Sequence, residues 1–311
     1  MIFLTKRLLV ILTIVTLTVA DRIYICQHQL KVTGDGFLKF HDDCRNYDDA
    51  VLARTSFNED REVWIRNGTI DDIDRLLNGS LYHVTHLKIT NLAAGEGSRS
   101  LERFPIEPER FAVLDLTNSG IQRLEIKDVD YRLTHLDVKQ NRLTTLTNMK
   151  FLTGLESLKA DRNAIDSFSL DDFKDLKQLI VLSLKSNQIK SVTATGPIFL
   201  PKLRSLFLSD NQLTDLNVTH WEFPNLNSFF VDDNSLTVIS GNSRGKFPNT
   251  WEIALGGRNN WDCQWFDNLL AFLKEDRRFA LQMFGDEPSC PDQSRMEGFI
   301  CCRNVYDNQV A

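Results

Sequence analysis

The spacing of leucines in the middle of the chain constrains the fold more than any other feature. The pattern LxxLxLxxNxL occurs six times, beginning at Phe111, Leu133, Leu155, Leu179, Leu203 and Leu226. Successive copies start 22, 22, 24, 24 and 23 residues apart, and a period in this range is typical of a leucine-rich-repeat solenoid. One repeat is too small to bury its own leucines, so neighbouring repeats must stack and share one apolar core.

The alternation within each copy predicts one short parallel strand per repeat, in an α/β horseshoe with an irregular convex side. In the copy that begins at Leu203, Leu206 and Leu208 should point into the stack, while Ser205 and Phe207 face the opposite way. A polar side chain that can bond the backbone of adjacent turns occupies the ninth position. The residues at this position are Ser119, Asn141, Asn163, Asn187, Asn211 and Asn234.

Weaker copies of the pattern extend the array at both ends. Leu87 and Ile89 fit a strand before the six copies, Ile253 fits one after them, and Val63–Ile65 fits an uncertain earliest one. We therefore expect eight or nine repeats over residues 61–260. Disulfide-stapled caps should cover residues 21–60 and 261–311, because a terminal repeat exposes one side of the core. We assign Trp64 to the N-terminal cap.

Residues 1–20 have the pattern of a secretory signal peptide. Lys6 and Arg7 precede an apolar run, which ends in the small residues Thr18 and Ala20. The run is shorter than the roughly 20 residues that span a bilayer. Removing it would change the formal charge from −6 to −8, a sign that disfavours nucleic acid as a partner. We expect a secreted, extracellular protein without a membrane span.

Secretion would also expose three sequons for N-linked glycosylation, at Asn67, Asn78 and Asn217. Asn217 follows Leu216, beyond the strand of its repeat. A glycan at Asn217 should therefore lie away from the inner face of the solenoid and leave that face free.

The six cysteines all lie outside the central array, and an even count in a secreted chain predicts disulfides. Cys26 and Cys44 precede the array and form the first expected bridge. With His28 and His41 these two cysteines make an alternative zinc quartet. The oxidising compartment and the irregular spacing of the four residues favour the bridge.

Four cysteines follow the array: Cys263, Cys290, Cys301 and Cys302. A bond between the adjacent residues Cys301 and Cys302 would be strained, so each should pair with either Cys263 or Cys290 in an order that the sequence leaves open. One of these thiols could instead link a second chain into a disulfide-linked dimer. The segment after Cys263 should form an amphipathic helix that covers the last repeat, with its apolar face at Phe266, Leu269, Leu270 and Leu273.

The cysteine arrangement resembles that of the mosquito leucine-rich-repeat immune proteins, the LRIM family. The resemblance rests on the signal peptide, the irregular repeats, Cys263 in the segment NNWDCQWFDNLLAFL, Cys290 further on, and the doublet Cys301 and Cys302. Long members continue past the doublet into coiled coils, whereas this chain ends nine residues after Cys302 and has no heptads there. The resemblance is therefore to a coil-less (short) or truncated member.

This resemblance implies a non-enzymatic recognition protein of insect innate immunity, located in the haemolymph. Its expected partner is a complement-like thioester protein, another leucine-rich-repeat immune protein or a microbial surface. The alternative function is that of an extracellular matrix or cell-adhesion protein, because the same fold serves both.

Strand alternation also identifies the residues of the inner face. Phe207 and Phe230 should stack on adjacent strands with Val181 diagonal to them, and an exposed aromatic pair is a candidate partner anchor. The alternative is that the two rings only stabilise the sheet by stacking on each other, or lie under a loop of the C-terminal cap. With the charged residues Lys159 and Lys185, these residues form the predicted partner-binding site. The middle column of this face should run Lys88, Asp115, Asp137, Lys159, Ser183, Phe207, Phe230 and Ala254.

Catalytic and metal-dependent functions are weakly supported. His86 and His135 share a column beside Asp115 and Asp137, but they recur at repeat spacing on an open surface without an evident pocket. Asp71, Asp72 and Asp74 lack the full pattern of a calcium-binding loop. We expect no catalytic residue, no metal site and no cofactor.

Overall fold

The computed structural model describes residues 10–16, 23–32, 38–47, 62–66, 86–90, 102–241, 248–275, 280–282, 295–297 and 300–303. Most of the secondary structure is short strands, joined by tight turns. The strands are β1 (Val10–Thr16), β2 (Ile23–Val32), β3 (Leu38–Tyr47), β4 (Glu62–Arg66), β5 (His86–Thr90), β6 (Arg103–Pro105), β7 (Val113–Asp115), β8 (Arg123–Glu125), β9 (His135–Asp137), β10 (Ser157–Lys159), β11 (Phe168–Ser169), β12 (Val181–Ser183), β13 (Val192–Thr193), β14 (Ile198–Phe199), β15 (Ser205–Phe207), β16 (Leu216–Asn217), β17 (Trp221–Glu222), β18 (Ser228–Phe230), β19 (Ile239–Ser240), β20 (Glu252–Ala254), β21 (Trp261–Asp262), β22 (Ala280–Gln282), β23 (Arg295–Glu297) and β24 (Ile300–Arg303). The helices within the described residues are two 3-10 helices, Met149–Phe151 and Leu170–Phe173, and the α-helix α1 (Cys263–Glu275).

A ten-stranded parallel sheet forms the inner wall of a leucine-rich-repeat solenoid, as predicted. Its strand order is β4-β5-β7-β9-β10-β12-β15-β18-β20-β22. The first nine strands coincide with the six copies of the pattern and with the weaker copies at both ends, including the uncertain one at Val63–Ile65. Trp64 pairs in register with Lys88, so it lies in the sheet; its assignment to the N-terminal cap stays a prediction. The tenth strand, β22, comes from the C-terminal cap segment and was not predicted.

The leucines of the repeat pattern form one continuous core. Leu203, Leu206, Leu208 and Leu213 are all buried, and so are their counterparts in the neighbouring repeats. Burying one such side chain contributes about 1.5–3 kcal/mol. Stability is therefore distributed along the stack, and each repeat depends on the repeats beside it.

The asparagines of the ninth position form a hydrogen-bonded ladder, which confirms their predicted structural role. In Asn141 the side-chain amide donates to the carbonyls of Leu116 and Val138, at 2.8 and 3.0 Å. Its Oδ1 accepts from the backbone N–H groups of Ser119 and Ile121, both at 3.0 Å. The same arrangement recurs at Asn163, Asn187, Asn211, Asn234 and, in the last repeat, Asn259.

The convex side is built from short parallel strand pairs and the two 3-10 helices. The pairs are β6 with β8, β11 with β13, β14 with β17, and β16 with β19. Large aromatic side chains fill the space behind them. Phe173, Trp221 and Phe223 are almost fully buried, and the rings of Trp221 and Phe223 are 5.3 Å apart.

The C-terminal cap begins at the predicted helix. Asp262 caps α1, since its Oδ1 accepts the N–H of Trp265 at 2.7 Å. The indole rings of Trp261 and Trp265 stack 4.8 Å apart. Phe266 is buried, and Leu269 packs against the core. This contact confirms the predicted apolar face as far as Leu269; the side chains of Leu270 and Leu273 lie outside the described ones.

A disulfide holds the cap closed between Cys263 at the start of α1 and Cys302 in β24, with 4.9 Å between their Cα atoms. Cys301 is also disulfide-bonded, and its partner lies outside the described residues. Of the two disulfides expected after the array, the structure thus identifies both partners of one. The pairing of Cys301 with Cys290 stays a prediction.

The N-terminal strands β1, β2 and β3 form an antiparallel sheet in that order. Their register places Cys26 opposite Cys44, whereas His28 lies opposite Asp42 and His41 lies opposite Gln29. This pairing favours the predicted Cys26–Cys44 bridge over the zinc quartet. Strand β1 falls within the proposed signal peptide, whose removal stays a prediction. Among the described residues, no helix has the length and apolar character needed to cross a bilayer.

Candidate functional site on the concave face

The concave face consists of the strand residues of the ten-stranded sheet that point away from the core. The register of the parallel strands confirms the predicted middle column. It runs Lys88, Asp115, Asp137, Lys159, Ser183, Phe207, Phe230 and Ala254. Each member lies directly opposite the next one, so adjacent side chains in this column are within contact distance.

Phe207, Phe230 and Lys185 form an aromatic–cation cluster on this face. The two rings pack edge to face, with 5.0 Å between centroids and an interplanar angle of 79°. The Lys185 ammonium lies 4.6 Å from the centroid of Phe207 and 5.2 Å from that of Phe230. All three residues are half-buried. Ring pairing contributes about 0.5–1.5 kcal/mol, which favours this arrangement of the two phenylalanines.

The other two predicted partner-binding residues lie near this cluster but outside it. Val181 is half-buried and lies opposite Ser205, and Lys159 is exposed and lies opposite Ser183. Neither is directly opposite a phenylalanine. The structure therefore brings together three of the five predicted residues, and leaves Lys159 as a separate exposed cation two strands away from Phe207.

Ion pairs organise the N-terminal half of the concave face. Lys88 pairs with Asp115 at 2.9 Å, and Lys139 pairs with Asp137 at 3.0 Å. Partial burial alone would lower the pKa of Lys139. The hydrogen bond to Asp137 and the charges of Asp137, Asp161 and Asp115 outweigh that effect and raise the pKa. The raised pKa keeps the Lys139 ammonium protonated, and its positive charge interacts with all three carboxylates.

Hydroxyl groups hold the acidic side chains of the C-terminal half. Ser183 Oγ donates to Asp161, Ser209 Oγ donates to Asp232 at 2.6 Å, and Ser228 Oγ donates to Glu252 at 2.6 Å. Each bond links neighbouring repeats. Short polar side chains of the adjacent repeat thus fix these carboxylates in position.

A hollow of about 350 Å³ lies where the central strands leave the sheet. We call it the strand-exit hollow. It is lined by Thr117, Lys139, Gln140, Asp161, Arg162, Lys185 and Ser186. Four of these residues lie two positions after a middle-column residue, so alternation places them on the inner face: Thr117, Lys139, Asp161 and Lys185. The other three, Gln140, Arg162 and Ser186, come from the turn that follows each strand.

Strand alternation does not identify these turn residues, because it ends where the strand ends. Each has a left-handed backbone conformation, with φ of 54–56°, directly before a ladder asparagine. The same conformation occurs at Asn118, Asp210 and Asp233. Asn and Asp adopt this left-handed conformation more readily than other non-glycine residues. Their recurrence directly before the ladder position is the sequence signal that could have indicated these turns.

The histidine–aspartate arrangement considered for catalysis is not assembled around His135. Thr134 Oγ1 is the hydrogen-bond partner of His135 Nδ1, at 2.9 Å. The carboxylates of Asp115 and Asp137 instead bind lysines, as described above, and Thr117 donates to Asp115 at 2.6 Å. Among the described residues, no group of histidines, cysteines and acids is arranged to hold a metal ion.

Comparison with known proteins supports the repeat architecture. The family model described as "Leucine rich repeat" matches residues 153–213. Leucine-rich repeat-containing protein 23 of Bos taurus is 36% identical over 119 residues, which cover 34% of this chain and 33% of that protein. The chain spans about a third of the length of the curated relatives it matches.

Among solved structures, the leucine-rich repeat domain of APL1B is similar, with a TM-score of 0.58 at 17% identity. The match covers 79% of this chain and 72% of that one. The LRIM1/APL1C complex matches with a TM-score of 0.54 at 19% identity, over 78% of this chain and 45% of that one. Identities this low establish the shared fold alone. The chain thus has the leucine-rich-repeat fold, a solenoid whose curvature creates an extended concave surface.

Proposed function

We propose that this chain is a secreted, non-enzymatic recognition protein of insect innate immunity that binds a protein partner through its concave face. The aromatic–cation cluster of Phe207, Phe230 and Lys185 carries this proposal. It combines a rigid apolar surface with a charge on an open face, the composition found at the centres of protein interfaces.

The immune assignment draws on the resemblance of the cysteine arrangement to the LRIM family. Similarity of fold to the LRIM1/APL1C complex, in which two named proteins assemble, supports a protein partner over a small ligand. The candidate partners are a complement-like thioester protein and a second leucine-rich-repeat immune protein; a microbial surface is a further candidate. The haemolymph is the proposed location.

The proposal is tested by isolating the protein from haemolymph under non-reducing conditions and identifying what accompanies it. The variant Phe207→Ser/Phe230→Ser should lose most of that partner, because both sides of the anchor are removed. Phe199→Ser is the matched control, since Phe199 is 46% exposed but lies on β14, outside the ten-stranded sheet. Equal capture by both variants would refute the anchor.

An extracellular matrix or cell-adhesion protein is the alternative function. It would use the same fold and compartment, so the discriminating measurement is expression. An immune protein should be induced in haemocytes by microbial challenge, whereas a matrix protein should not. Comparing the gel migration of the isolated protein with and without reductant also tests the disulfide-linked dimer: a covalent dimer would halve in mass on reduction.

A further inference from the structure

The strand-exit hollow concentrates positive charge on a protein that is acidic overall. Three of its lining side chains are cationic, namely Lys139, Arg162 and Lys185, although the formal net charge of the chain is −6. The one lining carboxylate, Asp161, already accepts hydrogen bonds from Ser183 Oγ and from the Lys185 backbone N–H. Hydrogen bonds within the protein therefore partly offset the negative charge of Asp161.

Two of the three cations have no acidic partner within the described part of the chain. Lys139 pairs with Asp137, but no carboxylate of the described residues lies within ion-pair distance of Arg162 or Lys185. Arg162 is exposed, and its left-handed backbone, with φ of 56°, places it in the turn at the rim of the hollow. The planar guanidinium group of arginine can bind a carboxylate through two parallel hydrogen bonds.

We propose that the strand-exit hollow binds the carboxylates of an acidic peptide segment of the protein partner, and that an adjacent apolar side chain of that segment packs on Phe207 and Phe230. This inference rests on the proposed function and specifies the chemistry of the partner. Lys185 joins the two halves of the site, because its ammonium lies over both rings while the same side chain lines the hollow.

The distribution of charge favours a peptide over a long polyanion. The cationic residues come from three successive repeats, and adjacent strands are about 4.8 Å apart, so the basic stretch is on the order of 10 Å long. Acidic side chains follow in the next two repeats, at Asp210, Asp232 and Asp233. Arg258 pairs with Asp210 and Asp233, and one cation offsets only part of the charge of three carboxylates. A sulfated polysaccharide or nucleic acid bound in the hollow would extend past these acids. They lie within about one Debye length of the hollow, so they would repel the polyanion.

The apolar part of the site determines which groups are adjacent in the ligand. A carboxylate bound at Lys185 lies beside the rings of Phe207 and Phe230, since the ammonium is 4.6 and 5.2 Å from their centroids. A residue next to that carboxylate in the peptide would then contact the aromatic pair. The expected ligand is an extended segment in which two or three acidic residues lie next to a leucine or an aromatic residue, in either chain direction.

The test measures binding of a fluorescein-labelled peptide with three consecutive glutamates followed by leucine and phenylalanine, using the purified full chain with its disulfides intact. Fluorescence anisotropy should show saturable binding that weakens as salt is raised. Replacing the glutamates by glutamines should abolish it. In Arg162→Gln/Lys185→Gln the Kd should rise about tenfold or more, because two charge contacts are lost.

Lys190→Gln is the matched control, since Lys190 is exposed in the turn beyond the ladder asparagine and does not line the hollow. It should bind the glutamate peptide like the natural chain. Thermal unfolding followed by circular dichroism checks that both variants are folded. Unchanged binding in folded Arg162→Gln/Lys185→Gln, or no binding by the natural chain, would overturn the inference.

A heparin fragment serves as the polyanion probe in the same assay. If it binds the hollow more tightly than the glutamate peptide does, the acidic-peptide class is wrong. The inference also fails separately from the proposed function. Partner capture from haemolymph that depends on Phe207 and Phe230 but not on Arg162 and Lys185 would refute the acidic peptide alone, whereas capture independent of all four residues would refute both.

Discussion

Asn211 and Ile189 connect two neighbouring repeats through one side-chain hydrogen bond: Asn211 Oδ1 accepts the backbone N–H of Ile189 at 3.1 Å. The amide nitrogen of Asn211 donates in turn to the carbonyls of Leu184 and Leu208, both at 3.0 Å. Asn211 is buried. One side chain thus satisfies three backbone groups that have no access to water.

Asn211→Ala should therefore destabilise the protein by about 2–4 kcal/mol, because it leaves several buried backbone groups without partners. Urea unfolding followed by tryptophan fluorescence measures the change. Gln212→Ala is the control, since Gln212 is exposed next to Asn211, and it should shift stability by less than about 0.5 kcal/mol. Equal midpoints for the two variants would contradict a stabilising ladder.

Gly257 packs so closely on Asp233 that a side chain has no room. A Cβ atom at Gly257 would lie 2.1 Å from Asp233 Oδ1 and 2.8 Å from its backbone nitrogen, and φ is +70°. Gly257→Ala should combine backbone strain with this clash and cost more than about 2 kcal/mol.

The matched control for Gly257 is Gly120→Ala. Gly120 has nearly the same φ, +71°, but nothing within 4 Å of a built Cβ. The free energy of unfolding of Gly120→Ala should fall by only roughly 1 kcal/mol, the cost of an alanine in the left-handed backbone conformation. Differential scanning calorimetry compares the two variants, and similar unfolding temperatures would show that Asp233 moves aside at little cost.

The repeat architecture follows from the sequence because its determinants are periodic. Alternation within the strands gives the register of the middle column from Lys88 to Ala254, and the ninth-position asparagines identify the ladder. Strand β22 was missed for the opposite reason. Ala280–Gln282 adds to the sheet by backbone pairing with β20, and no repeat pattern follows it in the sequence.

The candidate site is less accessible to sequence reasoning. Alternation predicts that Phe207 and Phe230 are neighbours, since both lie at the same strand position. The placement of Lys185 over both rings depends on the conformation of a long side chain, which its three-dimensional neighbours decide. Arg162 lies outside the strand, where the period of two no longer applies. The pairing of Cys263 with Cys302 depends likewise on tertiary packing.

The C-terminal bridge should connect Cys263 to Cys302 in the purified protein. Because Cys301 is adjacent to Cys302 and is also disulfide-bonded, partial reduction with stepwise alkylation should precede proteolysis. Fragmentation mass spectrometry should then show Cys263 and Cys302 alkylated in the same step. Cys263→Ser/Cys302→Ser should lower stability by up to about 4 kcal/mol, as expected for closing a loop of 39 residues. Recovery of a peptide linking Cys263 to Cys301 would contradict the observed pairing.

Asn217 is predicted to carry an N-linked glycan that leaves the concave face open. Its side chain is exposed at the end of β16, which pairs with β19 outside the ten-stranded sheet. Thr219, the third residue of the sequon, donates its hydroxyl hydrogen to Asn217 Oδ1 at 2.6 Å.

On secretion from insect cells, Asn217→Gln and Thr219→Ala should each lower the mass by one glycan, as measured by intact mass spectrometry. Both variants should bind the glutamate peptide with unchanged Kd. A mass equal to that of the natural protein would show an unused sequon, and altered peptide binding would show that the glycan reaches the concave face.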